Sequence, residues 1–308
     1  MAVYPVAAGT ADLSGTYIPT LYASKMLVAL YATLTVAAIT NTDYEALVKQ
    51  EGGDKVIVRL LPDIVIRNYV KGQGLTYESP APSTVEFLLD KGKYWAVRVN
   101  LVDVKQSDID YVSKWSVHAG KQMAQAIDID VLSGIYGSVH ANNKGLTAGL
   151  KSAGYNLGVA GTPLAVTKVN ILDTLVDCGS VLDEQNVAQD DRFIVLPSWM
   201  CGLIKKSDLK DASLTGDSTS VMRNGRLGMI DRFEVFNSNN LTTTSSGGHT
   251  ATECIFGTKM ATTFATQVDE KEIFKDPNDF GDKLRALQVY GYKVVKSAAL
   301  GHLHCYSG

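Results

Sequence analysis

Near the C-terminal end, His302, His304 and Cys305 offer two imidazoles and a thiol, the ligand types of a zinc site. They make only part of a coordination shell and stand near a terminus, so they read as structural or incidental. Asp130 falls in the apolar stripe of a long helical pattern; it reads as a paired carboxylate that fixes a turn or a neighbouring arginine rather than as a functional acid. His118, on the wet face of the same pattern, reads as solvated. Gly72 and Gly74 beside Lys71 could cradle a phosphate, but a phosphate site of that kind needs a helix start behind it, and this pair sits at a hairpin tip. The chain contains no G-x-x-x-x-G-K-[ST], no G-x-G-x-x-G after a strand, no G-x-S-x-G and no H-E-x-x-H. The expectation is a protein without catalytic, cofactor-binding or metal residues, and not an enzyme.

Composition narrows the class further. A net charge of −3 over 308 residues gives no electrostatic case for a dedicated nucleic-acid binder. Cys178, Cys201, Cys254 and Cys305 lie far apart with no C-x-x-C spacing, which favours reduced, buried thiols and a reducing cytoplasm. A chain of this length can bury about 75% of its unfolded surface and stands where single domains begin to split, so two lobes are expected. The apolar run 26–39 is too short for a membrane span and reads as a packed helix. Residues 1–17, rich in Ala, Gly and Thr, read as an extended arm ordered only against something else.

The element that must position everything else is a helix over 107–136. Ser107 can cap it, and Asp108 and Asp110 complement its first turn. Ile109, Val112, Ala119, Met123, Ala126, Ile127 and Val131 share one side, whereas Asp110, Lys114, His118, Lys121, Gln125 and Asp128 share the other. Ile129, Leu132, Ile135 and Tyr136 then fill the polar side, so this end is expected to be enclosed all round, and Gly137 stops it. Such a helix is roughly 45 Å long, enough to cross a whole domain. Before it, a short helix capped within 41–43 runs to Lys49, and residues 55–104 read as strands: 55–60, 63–69, a segment at 85–87 leading into a turn at 90–92, and a return strand where Trp95, Val97, Val99 and Leu101 alternate with polar neighbours. The breaker-rich tip 70–82 lies between them. A two-stranded arm is marginal in water by itself and needs another surface to lie on.

In the second half, 142–163 reads as a connection, Thr167 as the cap of an amphipathic helix through Leu182, 192–197 as a fully buried strand, and Ser198 as the start of a helix through Ile204. A mobile-looking stretch follows at 207–223. The stretch 242–251, rich in Thr, Ser and Gly, reads as a disorder-prone loop, and the segments from Cys254 to Val295 read as strands and turns that return to the long helix.

These residues, in this order, resemble a known family. Asn41-x-Asp43-Tyr44-Glu45, the Tyr-x-x-Gly tip at Tyr69 and Gly72, Leu89-Asp90-Lys91-Gly92-Lys93-Tyr94, and Gln106-Ser107-Asp108 before a long helix ending Ile127-Asp128-x-Asp130 look like the major capsid protein of tailed bacteriophages, with the Hong Kong 97-like fold. The Gly225-x-x-Gly228 turn, the strand after it and the Asn-rich end at 237–240 resemble that family's axial domain, and the resemblance spans about residues 18–300. It implies an α+β fold divided into an N-terminal arm and helices (1–50), an extended hairpin loop (51–104), a peripheral domain with the spine helix 107–136 (105–164), an axial domain (165–252) and a C-terminal return to both domains (253–308). It implies self-assembly through hexamers and pentamers into an icosahedral head that encloses double-stranded DNA without sequence-specific binding. Tyr69, Lys71, Gly72, Gly74, Tyr77 and Pro80 would meet a neighbouring subunit at the loop tip, and Arg223, Arg226 and Asn239 would make axial contacts. The implied partners are a portal protein, a decoration protein and, because the arm is too short for a fused scaffolding domain, a separate scaffolding protein, with no membrane. The rivals are a cellular nanocompartment shell of the same fold and an α+β enzyme.

Overall fold

A computed structural model of the chain describes residues 34–46, 48, 55–60, 62, 64–81, 83–106, 111–207, 228–277 and 280–308. Two sheets and one long helix, α3, organise the chain. In chain order the elements are α1 (Val36–Ile39), β1 (Lys55–Leu60), β2 (Ser83–Leu88), β3 (Lys91–Asn100), α2 (Leu101–Gln106), α3 (Tyr111–Ile135), β4 (Leu164–Val166), α4 (Ile171–Glu184), β5 (Arg192–Leu196) and α5 (Ser198–Lys206). They continue with β6 (Met229–Ile230), β7 (Phe233–Asn237), β8 (Thr243–Ser246), β9 (His249–Thr258), β10 (Thr262–Lys275), β11 (Gly281–Val294) and β12 (Leu300–Ser307).

The larger sheet has seven strands in the order β4-β12-β9-β5-β7-β6, with β8 added to β9. Its centre is β5, all five of whose residues are buried, as its unbroken apolar run predicts. Ile171, Leu175, Cys178, Val181 and Leu182 of α4, and Met200, Cys201 and Ile204 of α5, join the same core. Their recurrence every three or four residues places them on one face of each helix. At roughly 1.5–3 kcal/mol for each fully buried large aliphatic side chain, this core dominates the stability of the fold. The smaller sheet is β10-β11-β3, antiparallel throughout, and β1 pairs with β2 as a separate ribbon.

α3 spans 25 residues, about 37 Å, and ends in a tight turn at Tyr136–Ser138. The start read at Ser107 lies outside the described residues. The C-terminal half packs into the main core through Met123, Ile127, Val131, Leu132 and Ile135. Two positions depart from the helical pattern: Ile129 is exposed, so the end is not enclosed on every side, and Asp128, read as wet, is buried.

Other expectations are corrected. β3 is not the return limb of the hairpin. Its partner is β11, from Tyr290 opposite Lys91 to Gly281 opposite Asn100, while β2 is the strand that pairs back on β1. Alternation revealed a strand but not its neighbour. Residues 64–69 form no strand, and Leu101 to Val104 belong to α2, because the Asn100 Oδ1 accepts from Val102 N at 2.8 Å and caps a helix there. Thr167 does not cap α4 through its hydroxyl; Asn170 takes the N-cap position, and its Oδ1 accepts instead from Thr167 N at 2.7 Å. The stretch 242–251 is a regular hairpin of β8 and β9. Gly247 and Gly248, at φ +57° and +82°, make the two-residue left-handed turn that joins paired Ser246 and His249.

Candidate assembly surface

The ribbon of β1 and β2 is rooted by a small core in which Val48, Phe87, Leu89 and Ala265 meet, with Val56 against them. Beyond it the chain runs out from the body. Every residue from 64 to 81 is exposed, including Ile64, Val65, Ile66, Val70 and Leu75, with Ile66 at 89% and Tyr77 at 87%. Local order comes from Glu78, whose Oε1 accepts from Val65 N at 2.8 Å and whose Oε2 lies 3.4 Å from Arg67 Nη2. At the end, Gln73 N donates to Val70 O at 3.1 Å across Lys71 and Gly72. Gly72 sits at φ +86°, where a side chain would be strained, so the tip needs glycine as a turn former and not as an anion cradle. Tyr69, Lys71, Gly72, Gly74, Tyr77 and Pro80 all lie on this exposed segment. So much exposed apolar surface on an arm without a covering element makes this segment a candidate contact surface.

A second apolar surface is the outer side of the three-stranded sheet. A groove there is lined by Tyr94, Ala96, Leu287 and the Arg285–Glu272 pair, whose Nε and Oε2 are 2.7 Å apart, and Arg285 also lies over the ring of Phe274. At the end of β7, Asn239 is exposed, and its Oδ1 accepts from Ser198 Oγ at 2.7 Å, tying that loop to the start of α5. Arg223 and Arg226 lie outside the described residues.

A family model for phage capsid protein matches residues 84–301. The chain belongs to the phage capsid protein family. Among solved structures it is similar to a protein of Mycobacterium phage Che8 at 21% identity, covering 94% of this chain and 97% of that one with a TM-score of 0.75. It is also similar to the capsid of cyanophage P-SCSP1u at 13% identity, 95% and 94% coverage and a TM-score of 0.72. A third similarity is to the capsid of an empty GTA particle, at 17% identity, 96% and 98% coverage and a TM-score of 0.67. No curated protein matches. The fold is the Hong Kong 97-like one, and the chain is a major capsid protein with a structural role in the virion head. Neither the nanocompartment reading nor the enzyme reading is favoured. Among the described residues no helix is long and apolar enough to cross a membrane.

Within this capsid protein the titratable groups singled out by sequence have mostly architectural settings. Asp130 is paired, with Lys91 Nζ 3.3 Å from its Oδ2 rather than with an arginine; Tyr290 donates to the same oxygen at 2.9 Å, and Tyr292 donates to its backbone carbonyl at 3.0 Å. These bonds pin α3 to β3 and β11. His118 is half-buried rather than simply wet. The four cysteines are buried and unbridged. Cys305 does not join His302 and His304: strand alternation turns it to the opposite face, where its Sγ lies 3.6 Å from Met200 Sδ and 3.8 Å from Cys254 Sγ.

Among the described residues the carboxylates of Asp128, Glu253 and Asp276 are buried, which the sequence reading did not anticipate. Asp128 accepts from the backbone of Thr35 and Val36 at 2.8 and 2.9 Å and from Asn240 Nδ2 at 2.7 Å, so it joins three distant segments. Glu253 on β9 faces the two histidines: its Oε2 lies 2.6 Å from His302 Nε2 and 2.8 Å from His304 Nδ1. Burial alone would raise the Glu253 pKa, yet hydrogen bonds from His302, His304 and Thr244 outweigh it and hold the carboxyl at about 2. The one available signal was composition, since Glu253 is the single carboxylate of β9 and stands beside Thr252 and Cys254.

Proposed function

We propose that this capsid protein closes a shell by laying residues 64–81 across the neighbouring copy, so that each subunit covers apolar surface that the next one cannot cover for itself. The single observation that supports this is the uninterrupted exposure of that segment on a rooted two-stranded stem. Burying one large apolar side chain is worth roughly 1.5–3 kcal/mol, and a closed lattice repeats that gain at every contact. Tyr69, Lys71, Gly72, Gly74, Tyr77 and Pro80 make the contact, with Gly72 shaping the turn that presents the others.

The rest of the chain takes its part around that contact. Residues 1–50 form the arm and its helices, 51–104 the extended loop, 105–164 the peripheral domain, 165–252 the axial domain, and 253–308 the return. The axial domain meets its copies around five-fold and six-fold axes through the region of Arg223, Arg226 and Asn239, giving pentamers and hexamers. A separate scaffolding protein guides assembly, a portal protein occupies one vertex, and a decoration protein binds the finished surface. The chain acts without catalysis, and its slight negative charge suits a container for double-stranded DNA that must not trap the genome by dense phosphate contact.

The test replaces residues 70–82 by a short Gly-Ser linker and follows the full chain, with and without its scaffolding partner, by light scattering and electron microscopy. The expected result is loss of megadalton particles while the subunit still unfolds cooperatively. Shells of normal size and yield from the variant would refute the role of the loop.

A further inference from the structure

We propose that Glu253, His302 and His304 bind one borderline divalent transition-metal ion of the zinc type, clamping β8, β9 and β12 together in the seven-stranded sheet. The inference does not depend on the loop contact proposed above.

Its basis is geometric. His302 and His304 stand two apart on β12, so both rings leave the same face of the strand, and Glu253 is the direct partner of His304 across the ladder. One nitrogen from each ring and one carboxylate oxygen all lie within 4.8 Å of one another. Two imidazoles and one carboxylate are a donor set that zinc uses when it keeps a fourth position open. Tetrahedral coordination at about 2.1 Å sets ligand atoms roughly 3.4 Å apart, so the present contacts of 2.6 and 2.8 Å need to widen by less than about 1 Å.

The surroundings already hold each ligand as a metal site requires. His304 Nε2 lies 3.0 Å from Ser246 Oγ, so that nitrogen can keep the ring proton while Nδ1 faces the ion. The other oxygen of Glu253 accepts from Thr244 Oγ1 at 2.9 Å, which fixes the plane of the carboxylate. The ring of His302 is braced by Tyr136, with centroids 5.3 Å apart. The Glu253 and His304 side chains are 6% and 3% exposed, whereas that of His302 is 12% exposed and provides the entry. A cation at their centre would meet two imidazoles and a carboxylate that are already buried and oriented toward one another. Thr244 and Ser246 both come from β8, so the same ion would hold the β8–β9 hairpin to β12.

The experiment uses the full chain, stripped with a chelator and titrated with Zn²⁺ by calorimetry and with Co²⁺ by visible absorption. Expected are one equivalent per chain, an absorption spectrum of low-coordinate cobalt and a saturable rise in unfolding temperature. His302→Ala, at the more exposed ligand, is expected to weaken binding at least tenfold while the metal-free circular dichroism stays unchanged. Glu253→Gln, which preserves shape, is expected to weaken it as well, and His118→Ala to leave it unaltered. Absence of saturable binding, or wild-type affinity in both His302→Ala and Glu253→Gln, would overturn the site and leave a hydrogen-bonded triad. The shell phenotype of the loop variant has no bearing on this result.

Discussion

Asp128→Ala should be among the most damaging substitutions in the capsid subunit, although the helical pattern alone places Asp128 on the wet face. The side chain is 2% exposed and satisfies three donors from two remote segments: the backbone N–H groups of Thr35 and Val36 at the start of α1, and the Asn240 amide. Hydrogen bonds to a charged group contribute roughly 1.5–3 kcal/mol each, so removing three forfeits about 4–9 kcal/mol. Relief of the cost of burying a carboxylate, about several kcal/mol, offsets part of that. A net loss of roughly 3–4 kcal/mol is expected, since three donors are left facing a cavity. Asp128→Asn separates charge from geometry. Its Oδ1 keeps both backbone donors, and its amide meets Asn240, which can turn its own amide over because its Oδ1 makes only a long contact to Gln125 Nε2, at 3.4 Å, among the described residues. That variant should lose about 1 kcal/mol. The assay is urea unfolding of the unassembled subunit, with amide exchange over 35–40 as a local readout. Wild type, Asn and Ala should fall in that order of stability, with exchange over 35–40 accelerated most in the Ala variant. An Ala variant within about 0.5 kcal/mol of wild type, the size of an ordinary surface substitution, would refute the reasoning.

Two further tests probe the seven-stranded sheet. Gly158 sits at φ +74°, and a Cβ there would collide with the carbonyl of His304 and crowd Leu164 N, all backbone that cannot swing away; Gly158→Ala should cost at least about 2 kcal/mol, and a wild-type unfolding midpoint would contradict the packing. Glu253 contributes to acid sensitivity with a definite sign. Its folded pKa is depressed from 4.5 to about 2, so its stabilisation is complete above the unfolded value and disappears as pH falls from about 4.5 towards 2. Unfolding free energies measured across that window should fall less steeply with acid in Glu253→Gln than in wild type, and parallel curves would show that Glu253 is not among the groups responsible.

Local patterning read well wherever one residue type settles its own surroundings. The apolar run of β5, the amphipathic face of α4, the helix beginning at Ser198 and the buried, unbridged cysteines are properties of short windows, and each appears in the structure as read. Misreadings cluster where the deciding partner is far away. Strand β3 shows its alternation in sequence, but 180 residues separate its end from the start of its neighbour β11, beyond the reach of local pattern. The 242–251 stretch looked disordered by composition, although its Gly-Gly pair is also a tight-turn signal, and only the addition of β8 to β9 decides between the two. The loop tip was legible as a breaker-rich segment, but its degree of exposure depends on β1 and β2 ending where they do.

The sequence by itself determined the long helix, the buried strand β5, the helices on either side of it and the breaker-rich tip, because hydrophobic period and turn residues act over a few positions. It also carried the order of elements that marks a capsid subunit. Tertiary structure alone decided that Asp128 is a buried junction, that Cys305 packs against Cys254 and Met200, and that Glu253 meets two histidines about fifty residues away. The physical reason is that a polar side chain is accommodated inside a protein by the partners that satisfy it, and those partners are selected by how sheets and helices pack, not by their neighbours along the chain.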